Sequence, residues 1–129
     1  MGQIMKIEAV IVIPGEPQSQ QRHRDGRYGG KYDPSAKAKQ SFAVRCLAQW
    51  RPDGSPTDKL FEVDASFYCS GNVKDGDNCF KFVADALEGL YWLNDRQIKK
   101  HHVHIIDNSE HPRTVLIIGF LTDRVGSET

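Results

Sequence analysis

Between residues 75 and 95 the chain sets several oxygen ligands and one cation in close order. They run Asp75-Gly76-Asp77-Asn78-Cys79-Phe80-Lys81, then Asp85, and finally Asp95 in Trp92-Leu93-Asn94-Asp95. Clustered carboxylates suit a hard divalent cation: Mg²⁺ takes oxygen ligands, keeps several waters, and is held by one or two carboxylates together with substrate phosphate. Such an ion orients a water, lowers its pKa and stabilises charge on phosphoryl oxygens. Lys81 falls one turn after Asp77 and one turn before Asp85, at i, i+4 and i+8 of one helix face. An ammonium there could contact a scissile phosphate or a departing oxygen. The chemistry these residue types allow together is metal-assisted phosphodiester hydrolysis. A plainer account uses the same residues: Asp77 or Asn78 as an N-cap, Asp75 as a loop acid, and Lys81 with Asp85 as an ordinary surface pair.

The elements that must position these groups follow from apolar periodicity. Residues 4–13 are rich in β-branched side chains and end at Pro14-Gly15, a strand and a turn. Residues 16–33 hold Pro, Gln, Ser, Gly and Arg without an apolar period and read as a long loop. Asp33-Pro34 predicts an N-cap and first helical residue. The helix then runs to about Arg51, with Phe42, Cys46 and Trp50 on one stripe beside Ala38, Ala43 and Leu47. Residues 60–69 read as a strand and 70–77 as a polar loop. Phe80, Val83, Ala84 and Leu87, with Leu90 or Tyr91, predict a second helix over 77–91, its apolar face turned away from the charges. Residues 97–106 and 114–121 read as two closing strands joined by a hairpin-like connection over 107–112. The polar tail is 122–129. The order predicts one domain over 1–129 of class α+β, a small mixed β-sheet with two helices packed on it. A helix over 77–91 spans about four turns, so Asp77 and Asp95 start at its opposite ends. The last carboxylate meets the first two only if the chain doubles back.

Composition limits the alternatives. Hydrophobic residues make up 39% of the 129 and charged residues 26%, as in an ordinary globular domain. The longest apolar runs, 9–13 and 115–118, fall far short of the roughly 20 residues a bilayer requires. No signal-peptide layout opens the chain, which predicts a cytoplasmic protein without a membrane partner. Cys46, Cys69 and Cys79 form no CxxC pair, arguing against disulfides and against a cysteine zinc site. No P-loop, GxSxG or dinucleotide fingerprint is present, so no nucleotide cofactor is implied. Lys and Arg balance Asp and Glu at 17 each, but unevenly along the chain: between residues 18 and 31, Arg22, Arg24, Arg27 and Lys31 gather against Asp25 alone.

The run D-x-D-N-x-x-K, then D-A-L-x-G, then W-x-x-D-x-Q-I resembles the signature of RusA-like Holliday junction resolvases. The amino-terminal I-P-G-x-P-x-S (Ile13, Pro14, Gly15, Pro17, Ser19), with Arg22, Arg24, Tyr32 and Pro34 after it, is similar to the same family. These segments follow the family's order from about Ile7 to Ile98. The resemblance implies a RusA-like fold and a crossover junction endodeoxyribonuclease that cleaves branched DNA in recombination and repair. It implies Mg²⁺ as cofactor, with Mn²⁺ as a substitute, and a homodimer acting on a four-way junction. Asp75, Asp77 and Asp95 match the family's metal-binding acids, Lys81 its catalytic lysine, and Asp85 the acid of the D-A-L element, a supporting position beside Lys81. The chain departs from many members in having Asn94-Asp95 where they carry two adjacent acids. Its only cation just before Asp75 is Lys74.

Arg22, Arg24, Arg27 and Lys31, interleaved with Tyr28 and Tyr32, read as a DNA-binding arm, with Lys74 added from the later loop. Cations contact phosphates, and aromatic rings stack on bases exposed at a branch point. The other reading of the arm is a solvated, charged loop. A four-way junction is nicked on two strands, which a two-fold homodimer provides. His101, His102 and His104 cluster on a predicted strand, where His102 and His104 share a face. No adjacent cysteine or carboxylate completes a zinc set there, so they read as half-exposed strand residues. Two other functions stay open at this point: a non-catalytic DNA-binding protein of the same fold, and a nuclease specific for flaps or forks.

Overall fold

A computed structural model describes residues 3–20, 24–25, 31–32, 35–71 and 74–123. The first strand, β1 (Gln3–Pro14), leads toward a small antiparallel pair, β2 (Arg24–Asp25) and β3 (Lys31–Tyr32). Then come α1 (Ala36–Gln49), β4 (Phe61–Tyr68), α2 (Gly76–Leu87), a 3-10 turn (Asp95–Gln97), β5 (Ile98–Ile106) and β6 (Arg113–Asp123). The main sheet runs β1-β6-β4-β5. β4 and β5 are parallel and the other neighbours antiparallel. This is the α+β class with a mixed sheet and two helices.

The core lies on one face of that sheet. Phe61, Val63, Ala65 and Phe67 alternate inward along β4 with Leu116 and Ile118 of β6 and Ile11 and Ile13 of β1. They pack against Phe42, Ala43 and Cys46 of α1 and against Cys79, Phe82, Val83, Ala86 and Leu87 of α2. Phe42 meets Phe82 edge-on between the helices, with ring centroids 5.7 Å apart. Cys46, Cys69 and Cys79 are free and buried. Burial pushes the Cys46 thiol up to about 12 and Cys79 to about 11. The exposed edge at β1 is partly closed from α1: the Gln49 amide accepts from Val12 N–H (3.0 Å) and donates to Val12 O (2.7 Å). No helix among the described residues is long and apolar enough to cross a membrane.

Several expectations change. The first helix starts at Ala36 behind Ser35, later than Asp33-Pro34, which lie outside the described residues. The loop 16–33 contains the β2–β3 pair. The second helix stops at Leu87 and does not reach Tyr91, because Gly89 takes φ 83° and Tyr91 and Trp92 are drawn into the core. Its inward stripe centres on Cys79, Phe82, Val83, Ala86 and Leu87, which leaves Phe80 at the margin.

The closing strands are not a hairpin. Parallel pairing of β4 with β5 needs a crossover, which α2 supplies, and this leaves β5 at the sheet edge with β4 between it and β6. The 107–112 connection therefore crosses the end of β4. It is held there by Cys69 N–H to Ile106 O (2.8 Å) and Ser109 N–H to Cys69 O (2.9 Å).

Candidate active site

Asp75 is the N-cap of α2. Its Oδ1 accepts the Asp77 backbone N–H at 2.9 Å, so capping belongs to Asp75, where Asp77 or Asn78 was expected. An N-cap of this kind contributes about 1 kcal/mol and occupies one of the two carboxylate oxygens. Gly76, between the two acids, is where the helix start closes on β5: a Cβ there would lie 2.9 Å from Val103 Cγ1 and 3.3 Å from Ile105 Cγ1. Asp77, Asn78 and Lys81 follow on the exposed side of α2.

The chain doubles back after α2, for identifiable reasons. Trp92 is fully buried, meets Phe61 edge-on at 5.1 Å, and donates its indole N–H to Ala84 O at 3.1 Å, satisfying a carbonyl in the last turn of α2. Tyr91 is buried beside it, its hydroxyl within hydrogen-bond distance of Cys46 O and Trp50 O at the end of α1. Asn94 and Gln97 then close a capping box around the 3-10 turn. Gln97 Oε1 accepts from Leu93 N–H (2.8 Å) and Asn94 N–H (3.0 Å), and its amide nitrogen donates to Thr57 O and Lys59 O, both at 2.8 Å. One side chain thus ties the turn carrying Asp95 to the segment that precedes β4.

The outcome is a cleft of about 570 Å³ lined by Asp77, Asn78, Phe80, Lys81, Ala84, Asp95, Ile98 and His101. Two predicted carboxylates and the predicted lysine face one space, although they start on separate elements. Asp75 caps the helix next to the cleft and is not among its lining residues. Among the described residues no three His, Cys, Asp or Glu side chains converge as a ready-made metal cage. Asp85 is not among the residues lining the cleft; its Oδ2 lies 3.6 Å from Lys39 Nζ of α1, an ion pair that ties the two helices together.

The predicted DNA-binding residues are only partly placed. Arg22 and Arg27 lie outside the described residues. Arg24 and Lys31 fall on β2 and β3, in register with Tyr32 and Asp25. The segment leading to that pair is anchored at the cleft, since Gln20 N–H donates to Asn78 O at 2.9 Å. Lys74 sits near Glu16, whose carboxyl is held below its ordinary value by hydrogen bonds from Ser70 and, more weakly, by the Lys74 charge.

Phe80, Ile98 and His101 are cleft residues that the sequence reading did not assign. Phe80 comes from α2, and a bulge in β5 sets Ile98 on the same side as His101. β5 pairs Ile98 with Phe61 and Lys100 with Glu62, so Lys99 is the extra residue. Ile98 and His101, three apart, therefore share the helix-side face, and a strand without the bulge would have opposed them. Nothing in the sequence marks that bulge.

A family model described as endodeoxyribonuclease RusA matches residues 14–119. No curated protein matches the chain.

Proposed function

The chain belongs to the RusA endodeoxyribonuclease family, a family of Holliday junction endonucleases, and we propose on that premise that it is a Mg²⁺-dependent resolvase cutting branched DNA by paired phosphodiester hydrolysis. The observation that carries this reading is the meeting of Asp77, Lys81 and Asp95 around one solvent-open cleft. Two carboxylates in an open cleft suit the way Mg²⁺ is usually held, by one or two acids, waters and substrate phosphate. Asp77 and Asp95 would hold the ion, with Asp75 adjacent through the oxygen its capping bond leaves over; Mn²⁺ would substitute. When bound, the metal supplies an activated water and charge neutralisation at phosphorus.

The protein's own groups do the rest. Water oxygen bonds to phosphorus as one bridging P–O bond breaks, the proton lost by the water passes to solvent and the departing oxygen takes one up, and Lys81 sets a positive charge beside the phosphoryl or departing oxygen. Gln20 N–H is held by Asn78 O at this cleft, and Arg22, Arg24, Arg27 and Lys31, which follow it in the sequence, are assigned to phosphates of the junction arms. Lys74 adds a further cation near the start of α2.

Two nicks in one junction call for two sites, which a C₂ homodimer of this chain provides. The open face of the sheet offers it an aliphatic surface, with Ile7, Val10 and Val12 of β1 exposed by 61%, 59% and 41% beside Val115 and Ile117 of β6. A DNA substrate and three free thiols suit a reducing cytoplasm.

A non-catalytic DNA-binding role has one observation in its favour: Asp75 and Asp85 have ordinary structural work, as a cap and as a helix tie. A labelled synthetic four-way junction separates the readings. Paired nicks that need both Mg²⁺ and Asp77, and vanish in Asp77→Asn, support the resolvase. Binding without cleavage under Mg²⁺ or Mn²⁺ overturns it, and preferential cleavage of matched flaps or forks reassigns the substrate.

A further inference from the structure

β5 carries three histidines, and the structure treats them differently. His102 Nε2 lies 2.9 Å from Glu62 Oε2, and His104 Nε2 lies 3.4 Å from Asp64 Oδ2, both across the open face of the sheet. These two are cross-strand partners of acids on β4. His101, on the opposite face by strand alternation, lines the cleft with Asp77, Lys81 and Asp95. Its ring lies flat on Phe80, with centroids 4.6 Å apart and planes at 19°. Among the described residues its ring nitrogens have no protein hydrogen-bond partner. A ring held by stacking on one face, with its nitrogens unclaimed inside a cleft of catalytic residue types, is poised to bind something that enters the cleft.

Resting on the nuclease reading above, we infer that His101 is a further substrate-contacting residue, donating an imidazole N–H to a non-bridging oxygen of the scissile phosphate. The chemistry does not depend on the protonation state of the ring. Each neutral tautomer carries one N–H donor, and the cation carries two. Lys81 approaches from α2 and His101 from β5, so a phosphate entering between the walls meets a donor from each side while Asp77 and Asp95 stay on the metal. Phe80 is a positioning residue in this arrangement: it fixes the plane of the imidazole before DNA arrives, so little ordering remains for the moment of reaction.

The test uses the full-length protein on a synthetic four-way junction with Mg²⁺, comparing wild type with His101→Phe, His101→Gln and His101→Asn. Phenylalanine keeps a ring to stack on Phe80 and removes the donor, whereas the amides keep a donor and lose the ring. A hydrogen bond to a charged group predicts a fall in kcat of roughly ten- to a hundredfold for His101→Phe. Partial recovery is expected in at least one amide variant. Junction binding in Ca²⁺ should weaken by a smaller factor than kcat falls, and thermal stability should match the wild type. Wild-type kcat in His101→Phe overturns the inference. So does an equal loss in all three variants accompanied by lowered thermal stability, which would make the ring a packing element. A wild type that fails to cleave any branched substrate overturns the nuclease reading itself and this inference with it, an outcome distinct from the other two.

Discussion

Replacing Gly76 with alanine adds one methyl group between the two acids of the Asp75-Gly76-Asp77 run. That carbon would sit 2.9 Å from Val103 Cγ1 and 3.3 Å from Ile105 Cγ1. Carbon atoms rest at about 3.5–4.0 Å, so on the order of 0.5–1 Å must be found between α2 and β5. Val103 and Ile105 are β-branched and stiff at χ1, and β5 is paired to β4 along its length, so the helix start is the part that yields. In an unobstructed helix, glycine to alanine gains up to about 1 kcal/mol. Overpacking costs about 1–3 kcal/mol, leaving a net destabilisation of about 0–2 kcal/mol and a fall in Tm of up to roughly 8 °C.

Activity should suffer more than stability. A shift of about 1 Å in a reacting group costs on the order of a hundredfold in rate, and Asp77 is the residue next to the added methyl. Circular dichroism melts and single-turnover junction cleavage read the two effects. Val103→Ala in the Gly76→Ala background removes the closest collision and should restore most of the lost rate. A Gly76→Ala protein that is more stable than wild type and fully active would refute the claim that this close approach sets the position of Asp77.

Gln97→Ala removes both donors and the acceptor that fasten the Asp95 turn. It should cost roughly 1–3 kcal/mol in urea denaturation and reduce Mg²⁺-dependent cleavage strongly, with junction binding in Ca²⁺ little changed. Folded pKa values raised by burial at Cys79 (about 11), Cys46 (about 12) and Tyr91 mean that the folded state keeps protons the unfolded chain releases. Stability should therefore be intact below about pH 9 and decline from there through about pH 12, as urea midpoints across that range would show. Val10→Glu puts a charge on the open aliphatic face. In light scattering it should give monomers where the wild type gives dimers, with unchanged secondary structure.

Much of the fold was legible where periodicity and burial agree. The β4 alternation and the Phe42, Ala43, Cys46 stripe came through because each element buries a single face against one core. The end of α2 was misplaced because Leu90 and Tyr91 continue a helical spacing, while the structure spends Tyr91 and Trp92 on the carbonyls of α1 and α2. Strand partners were not legible, since β-propensity says that 98–106 and 113–123 are strands and nothing about β4 lying between them. Asp77, Lys81 and Asp95 stand out in the sequence by residue type and order, and the fold brings them to one cleft. His101 was missed because strand alternation separates it from His102 and His104 without saying that its face borders α2 and the cleft. Asp85 follows Lys81 by one turn in the helical spacing, and its pairing with Lys39 of α1 is a tertiary contact that spacing does not carry.

Binding of Mn²⁺ in the absence of DNA, followed by the loss of the free-ion electron paramagnetic resonance signal, tests the shared cleft most directly. The wild type should bind the ion, and Asp77→Asn and Asp95→Asn should each weaken that binding by a similar and large factor, because both carboxylates line one cleft. Wild-type affinity in Asp95→Asn, with loss confined to Asp77→Asn, would contradict the account.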